Sequence, residues 1–373
     1  MLDSAYRTYR SDNLDLIRAF LAFYVMIGHV TTWTNLLAPE SISAALVAFR
    51  RGSILVFQGH GETNPAVLAF IALSGYCIHR AGFRRDNLDL KRYSIRRFFR
   101  IYPVYILAIA IGLICWVAAM AANPAAAQMM SGTKLISAEC LWARISGSAA
   151  FYPPQARCFV GNTPLSTVMV EMWLYVVYPI LFVFLLRYGE KKLWILVFAV
   201  WCVGVTLVTV QPQLTYWWNN ASLIGYLAFW WIGAKAIDPN FRSKVQANFL
   251  SLLVVWVALT VLLMWADGSA PTFLVELRKI IYAVIVATII SFLDTPNEKP
   301  RWLSIFGRSG YSLYAFHAPI IYLLLVLTVP WWAAVFCAVI VGLLIYWFYE
   351  RPLMLFGRNL ARSEAADGIR RTI

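Results

Sequence analysis

The 373-residue chain is 61% hydrophobic and 13% charged, with 16 tryptophans and a mean hydropathy of +0.67, whereas a soluble domain carries about 25% charged residues. A water-soluble fold would leave much of that apolar surface with nothing to pack on, so composition excludes a soluble domain and predicts an all-α, polytopic transmembrane helix bundle. The net charge of +14 does not imply nucleic acid as a partner, because basic loops beside anionic membrane lipids account for it.

Ten apolar stretches approach the roughly 20 helical residues needed to cross a hydrocarbon core. They lie near 14–36, 64–79, 101–122, 165–186, 193–210, 221–236, 249–266, 276–293, 310–328 and 331–349. The first is too long and too charged for a cleavable signal peptide. It holds Asp15, Arg18 and His29, and a charge inside a span costs at least about 2.5–3.5 kcal/mol, which makes each a functional candidate. Eleven residues at about 100° each bring His29 to within about 20° of the face of Arg18, about 16 Å further along the axis. Asp15, three residues before Arg18, is placed to pair with it. Gly28 would admit a close neighbour beside His29, although a buried neutral imidazole with one satisfied hydrogen bond also fits that position.

The second stretch is the weakest, because Gln58, His60, Glu62 and Asn64 precede it. Residues 43–57 read as an interfacial helix leading into it, and His60 and His79 as interfacial. The basic run from Arg80 to Arg100 follows. A topological anchor would explain its charge, yet Arg97 and Arg100 fall one turn apart and can grip an anionic ligand such as a nucleotide phosphate. The loop at 123–164 holds Cys140 and Cys158, for which a disulfide and two free thiols fit equally. In the fourth stretch Glu171 lies about 10 Å from the helix start, a depth close to that of His29. Carboxylate and imidazole at one level suggest either an acid–base pair or a structural ion pair between helices. In the ninth, His317 either lines the same cavity or caps a kink at Pro319.

The basic residues give the orientation. With ten crossings, 24 of the 32 Lys and Arg fall on the side that holds both termini and seven on the other. Both termini are therefore expected in the cytoplasm. The chain divides into a membrane domain, 1–360, and a short basic tail, 361–373. No internal repeat of the kind found in secondary transporters is evident.

Several segments together resemble the acyltransferase-3 family of integral membrane O-acyltransferases. They are Leu14-Asp15-Leu16-Ile17-Arg18-Ala19 with Gly28-His29, Phe70 to Tyr76, Arg96-Arg97-Phe98-Phe99-Arg100-Ile101-Tyr102-Pro103, Leu165 to Tyr175 with Tyr178-Pro179, Gly310 to Tyr314 with His317, and Tyr349-Glu350-Arg351-Pro352. Two details depart from the family pattern. The residues before Ser74-Gly75 read Phe-Ile-Ala-Leu, and Leu165-Ser166-Thr167-Val168 stands where a Trp-Ser-Leu pattern is common. The resemblance implies transfer of an acyl group, usually acetyl, from cytoplasmic acyl-CoA to a hydroxyl of an extracytoplasmic or lipid-linked glycan in a bacterial inner membrane. Acyl-CoA is then a co-substrate and no metal is expected. In that reading His29, Glu171 and Arg18 are catalytic, Arg97, Arg100 and Arg18 hold the donor, and Asp15, Ser74 and His317 contact substrate. Membrane lipids and the glycan acceptor are the partners, and an oligomer is open. The alternative is a transporter or flippase for an anionic or lipid-linked glycan, with Arg18, His29 and Glu171 as its polar path.

Overall fold

The computed structural model describes residues 11–37, 44, 46–48, 51–52, 64–82, 88–131, 137–266, 271–295 and 299–370. His60 and most of the 43–57 segment lie outside them. The described chain forms α1 (Asp12–Leu37), α2 (Pro65–Gly82), α3 (Leu90–Ala122), α4 (Pro124–Ser131), α5 (Ala138–Ser146), α6 (Leu165–Tyr188), α7 (Glu190–Val210) and α8 (Thr215–Asn220). There follow α9 (Leu223–Lys235), α10 (Pro239–Ala247), α11 (Phe249–Trp265), α12 (Thr272–Leu293), α13 (Arg301–Arg308), α14 (Gly310–Val326), α15 (Trp331–Ile345) and α16 (Arg351–Arg370). No strand occurs among the described residues.

Each of the ten apolar stretches falls on helix. By length and apolarity, however, five among the described residues can each cross a membrane alone: α1, α3, α6, α7 and the run from α15 into α16. Two bent pairs, α10–α11 at 64° and α13–α14 at 61°, raise the number to as many as seven. The remainder fall short for identifiable reasons. The helix α9 has 13 residues, and α12 carries Glu276, Arg278 and Lys279 in its second turn. The surface is that of a chain in lipid. Phe20, Ile114, Val117, Ile180, Val203 and Phe336 point outward, where water would penalise them and acyl chains do not.

The short α9 lies at the centre. All but two of its 13 residues are buried, with Trp230 and Trp231 fully enclosed. It crosses α2 backbone to backbone: a Cβ on Gly75 would lie 1.9 Å from the Trp230 carbonyl oxygen, and one on Gly233 1.9 Å from that of Ala72. Without lipid-excluding pressure between helices, such close approach through small residues supplies the packing. His79, expected at an interface, is instead enclosed beside this crossing, its Nδ1 3.1 Å from the Tyr178 hydroxyl. The corner between α13 and α14 is fastened to the start of α1 by Ser304, which donates to Asp12 at 2.6 Å.

At the opposite end of α1 the described parts of the connection from α3 to α6 form a cap, joined by a disulfide between Cys140 and Cys158. Arg144 is its keystone. The buried guanidinium donates to Ser166 Oγ at 2.7 Å and to the carbonyls of Ala156 and Cys158 at 3.0 and 2.7 Å. Burial pushes its pKa below the ordinary arginine value, and carbonyl dipoles in place of a carboxylate keep it charged. Tyr322 of α14 ties α4 to the same cap by donating to the Ala127 carbonyl at 2.6 Å.

Candidate active site

Five helices and the final helix converge on a cavity of about 380 Å³ at the end of the bundle where α1 begins. Helix α1 contributes Asp15 and Arg18, held together by a 2.9 Å bond from Nη1 to Oδ1, as the three-residue spacing predicts. Helix α2 contributes Ser74 and Arg80, and α3 contributes Arg97 and Arg100. Glu171 and Tyr175 come from α6, Tyr311 and Tyr314 from α14, and Arg358 from α16. Five arginines against two carboxylates make the lining strongly positive.

The polar groups are ordered in series. Trp230 Nε1 donates to Ser74 Oγ at 3.3 Å, Ser74 donates to the Tyr175 hydroxyl at 3.2 Å, and Tyr175 donates to Glu171 at 2.5 Å. Tyr93 fixes this part of α6 by donating to the Tyr175 carbonyl at 2.9 Å. The Arg97 guanidinium lies 5.7 and 5.6 Å from the Tyr93 and Tyr175 ring centres, a cation–π arrangement that holds the charge in place. Its Nε has no hydrogen-bond partner among the described residues. Arg80 is committed elsewhere, to Asp294 at 3.1 Å.

The histidines form a second layer above this cavity. The ring centres of His29 and His317 are 5.4 Å apart, and His29 stacks on Trp33 at 5.0 Å. His317 Nδ1 lies 3.1 and 2.8 Å from the carbonyl oxygens of Leu313 and Tyr314. Carbonyls only accept, so Nδ1 carries the hydrogen and Nε2 presents its lone pair. That Nε2 is enclosed and has no partner among the described residues. Tyr314 joins the two layers, since it lines the cavity and its ring centre is 5.9 Å from that of His317.

The candidates named from sequence thus separate into two groups. Asp15, Arg18, Ser74, Arg97, Arg100 and Glu171 share the cavity, while His29 and His317 share the layer beyond it. His29 has ring contacts with Trp33 and His317, and the carboxylate of Glu171 accepts from Tyr175. Gly28 does not require a glycine, since a Cβ there would meet Asn64 Nδ2 at an ordinary 3.7 Å. Sequence reasoning gave no role to Tyr175, Tyr314 or Arg358. The four-residue offset of Tyr175 from Glu171 was the available signal for the first. Nor did it give a role to Glu350, quoted only within the closing motif, which is fully enclosed in a π turn (Tyr346–Glu350) and accepts from Ser312 at 2.5 Å. No group of three metal-ligating side chains occurs among the described residues.

Nodulation protein 10 of Rhizobium leguminosarum bv. viciae is 22% identical over 340 residues, which cover 86% of either chain. No solved structure matches. The family model described as Acyltransferase domain matches residues 11–351. An acyltransferase domain that fills nearly the whole chain, carried on a bundle of apolar helices, makes this a multi-pass membrane protein of the acyltransferase-3 family.

Proposed function

We propose that the protein is an O-acyltransferase of a bacterial inner membrane, crossing it about ten times with both termini cytoplasmic. It moves an acyl group, acetyl first among them, from cytoplasmic acyl-CoA to a hydroxyl of an extracytoplasmic or lipid-linked glycan. The observation that carries this reading is the placement of Tyr314, which lines an arginine-rich cavity on one side and touches the histidine layer on the other. A path of that kind suits an anionic donor with a long arm and a reactive end. In this reading Arg97 and Arg100 hold donor phosphates and Arg18, fixed by Asp15, guides the arm toward His29. His29 takes the proton of the acceptor hydroxyl, whose oxygen attacks the thioester carbonyl. The C–S bond breaks and the proton passes to the leaving thiolate, releasing CoA. Glu171 acts through Tyr175 at the donor end, and His317, whose enclosed Nε2 has no partner among the described residues, orients or relays for His29. A transient acyl-histidine is the alternative order of the same bond changes.

The test is His29→Ala in the full-length protein, read by mass spectrometry of the cell's surface glycans. The expected result is loss of the added ester while the protein remains folded in the membrane. Ester formation at the wild-type level in that variant would end the catalytic assignment.

A further inference from the structure

Beside the cavity lies a second space of about 450 Å³, lined by Arg96, Arg97, Arg100, Met354, Arg358 and Arg362. Five of its six lining residues are arginines and none is acidic. They come from α3 and from α16, elements at opposite ends of the sequence. The two helices are pressed together where a Cβ on Gly357 would lie 2.6 Å from that of Phe99, and the rings of Phe99 and Phe356 meet at 5.2 Å. Arg96 is within electrostatic reach of Arg92, Arg97, Arg358 and Arg362. A topological anchor needs positive charge on the correct side of the membrane, but it gives no reason to gather guanidinium groups around one groove, where their repulsion opposes folding. A polyanion in the groove turns that repulsion into attraction.

Arg97, Arg100 and Arg358 line both spaces. A ligand seated in the groove can therefore extend into the cavity without leaving the arginine-lined walls. Resting on the acyltransferase reading above, we propose that the groove between α3 and α16 seats the adenosine 3′-phosphate 5′-diphosphate end of the donor. Arg96, Arg358 and Arg362 take the terminal phosphate. The enzyme therefore accepts coenzyme A thioesters and discriminates against thioesters that lack the nucleotide, including those carried on a protein-bound phosphopantetheine. The tail helix is part of the donor site, and its basic residues do more than set topology.

The experiment uses the full-length protein in nanodiscs of phosphatidylcholine, with and without phosphatidylglycerol, and measures equilibrium binding of acetyl-CoA, acetyl-3′-dephospho-CoA and acetyl-pantetheine. Wild type is expected to favour acetyl-CoA over the dephospho analogue by about tenfold or more, as loss of charge-assisted contacts predicts. Arg358→Ala combined with Arg362→Ala should erase that preference to within about twofold. Equal affinity of the wild type for the two donors overturns the proposal, and that comparison needs no variant to fold. Preference that survives in the double variant overturns it as well. So does a groove that is a lipid site: the double variant would then lose co-purifying phosphatidylglycerol and keep its donor preference. Ester formation is scored separately. Donor preference without transfer to any acceptor leaves the groove standing and sinks the transferase reading; transfer without preference does the reverse.

Discussion

Tyr175 stands one turn after Glu171 on α6, and its hydroxyl supplies the 2.5 Å bond that the carboxylate accepts. A carboxylate in that position relies on such a donor, because a hydrogen bond to a charged group is worth about 1.5–3 kcal/mol when it replaces one to water. Tyr175→Phe keeps the ring, and with it the seat of Arg97, but removes the donor to Glu171 and the acceptor for Ser74. Turnover in the proposed transfer should fall by about tenfold to a hundredfold with little change in donor affinity, as transfer kinetics and direct binding would report. Arg278 gives a prediction of the opposite sign. It is fully enclosed, and none of its three guanidinium nitrogens has a hydrogen-bond partner among the described residues. Its neighbour Lys279 is satisfied by Glu276 at 2.6 Å and Asn219 at 2.8 Å. Glu276 attracts it, but replacing a buried charge that has no hydrogen bond with an apolar side chain of similar length removes a larger desolvation cost, so Arg278→Met should raise thermal stability, by about 1–4 kcal/mol. Lys279→Met, which strands Glu276, should lower it. Thermal melting of the two detergent-purified variants checks both signs.

Among the elements, the α2–α9 crossing bears most on the site, since it seats Ser74 against Trp230. Gly233→Leu would drive a side chain into the carbonyl of Ala72, and backbone cannot yield there without separating the helices. The expected outcome is loss of monodisperse protein on size-exclusion chromatography, whereas a leucine at Gly189, where a Cβ would meet nothing within 4 Å, should assemble despite its positive φ of 81°. The long helices were legible from apolar stretches, because lipid imposes length and hydropathy on a span, but the short α8, which puts Trp217 and Trp218 in the core, falls between two of them. The breaks were not. The 61° bend between α13 and α14 reflects how α13 is fastened to Asp12 at the start of α1, a contact between residues almost three hundred positions apart. The same limit applied to the site. Helical geometry put Arg18 with Asp15 and Arg97 near Arg100, since those relations are local. It could not pair His29 with His317 or bring Arg358 to Arg97, because rotation of one helix against another is set by packing and not by spacing along either. Equal depth placed Glu171 level with His29, but depth is one coordinate, and it could not foresee the bond that Glu171 accepts from Tyr175 one turn along the same helix.

For the molecule as a whole, the two ends of α1 face different chemistry. The arginine-lined spaces open where α1 begins, and the disulfide cap closes the end toward which His29 and Trp33 lie. The eleven-residue rise from Arg18 to His29, about 16 Å, is roughly half the thickness of a hydrocarbon core of about 30 Å. In the proposed transfer, a donor held by its phosphates at one surface would present its acyl end near mid-membrane, which a flexible arm can do while the charged nucleotide stays outside the lipid. On the same proposal the acceptor would approach from the capped side, where an oxidising compartment would preserve the disulfide. Such an arrangement predicts strict sidedness. In sealed inverted membrane vesicles, with the arginine end outward, labelled acetyl-CoA added to the medium should yield ester on acceptor trapped in the lumen. Right-side-out vesicles should yield none until they are permeabilised. Equal transfer from both sides of intact vesicles would mean that the donor reaches His29 without passing the arginines, and the layered path through Tyr314 would have to be abandoned. Transfer confined to the arginine side, and reduced there by Arg97→Ala, would tie the crossing of the acyl group to this one line of residues.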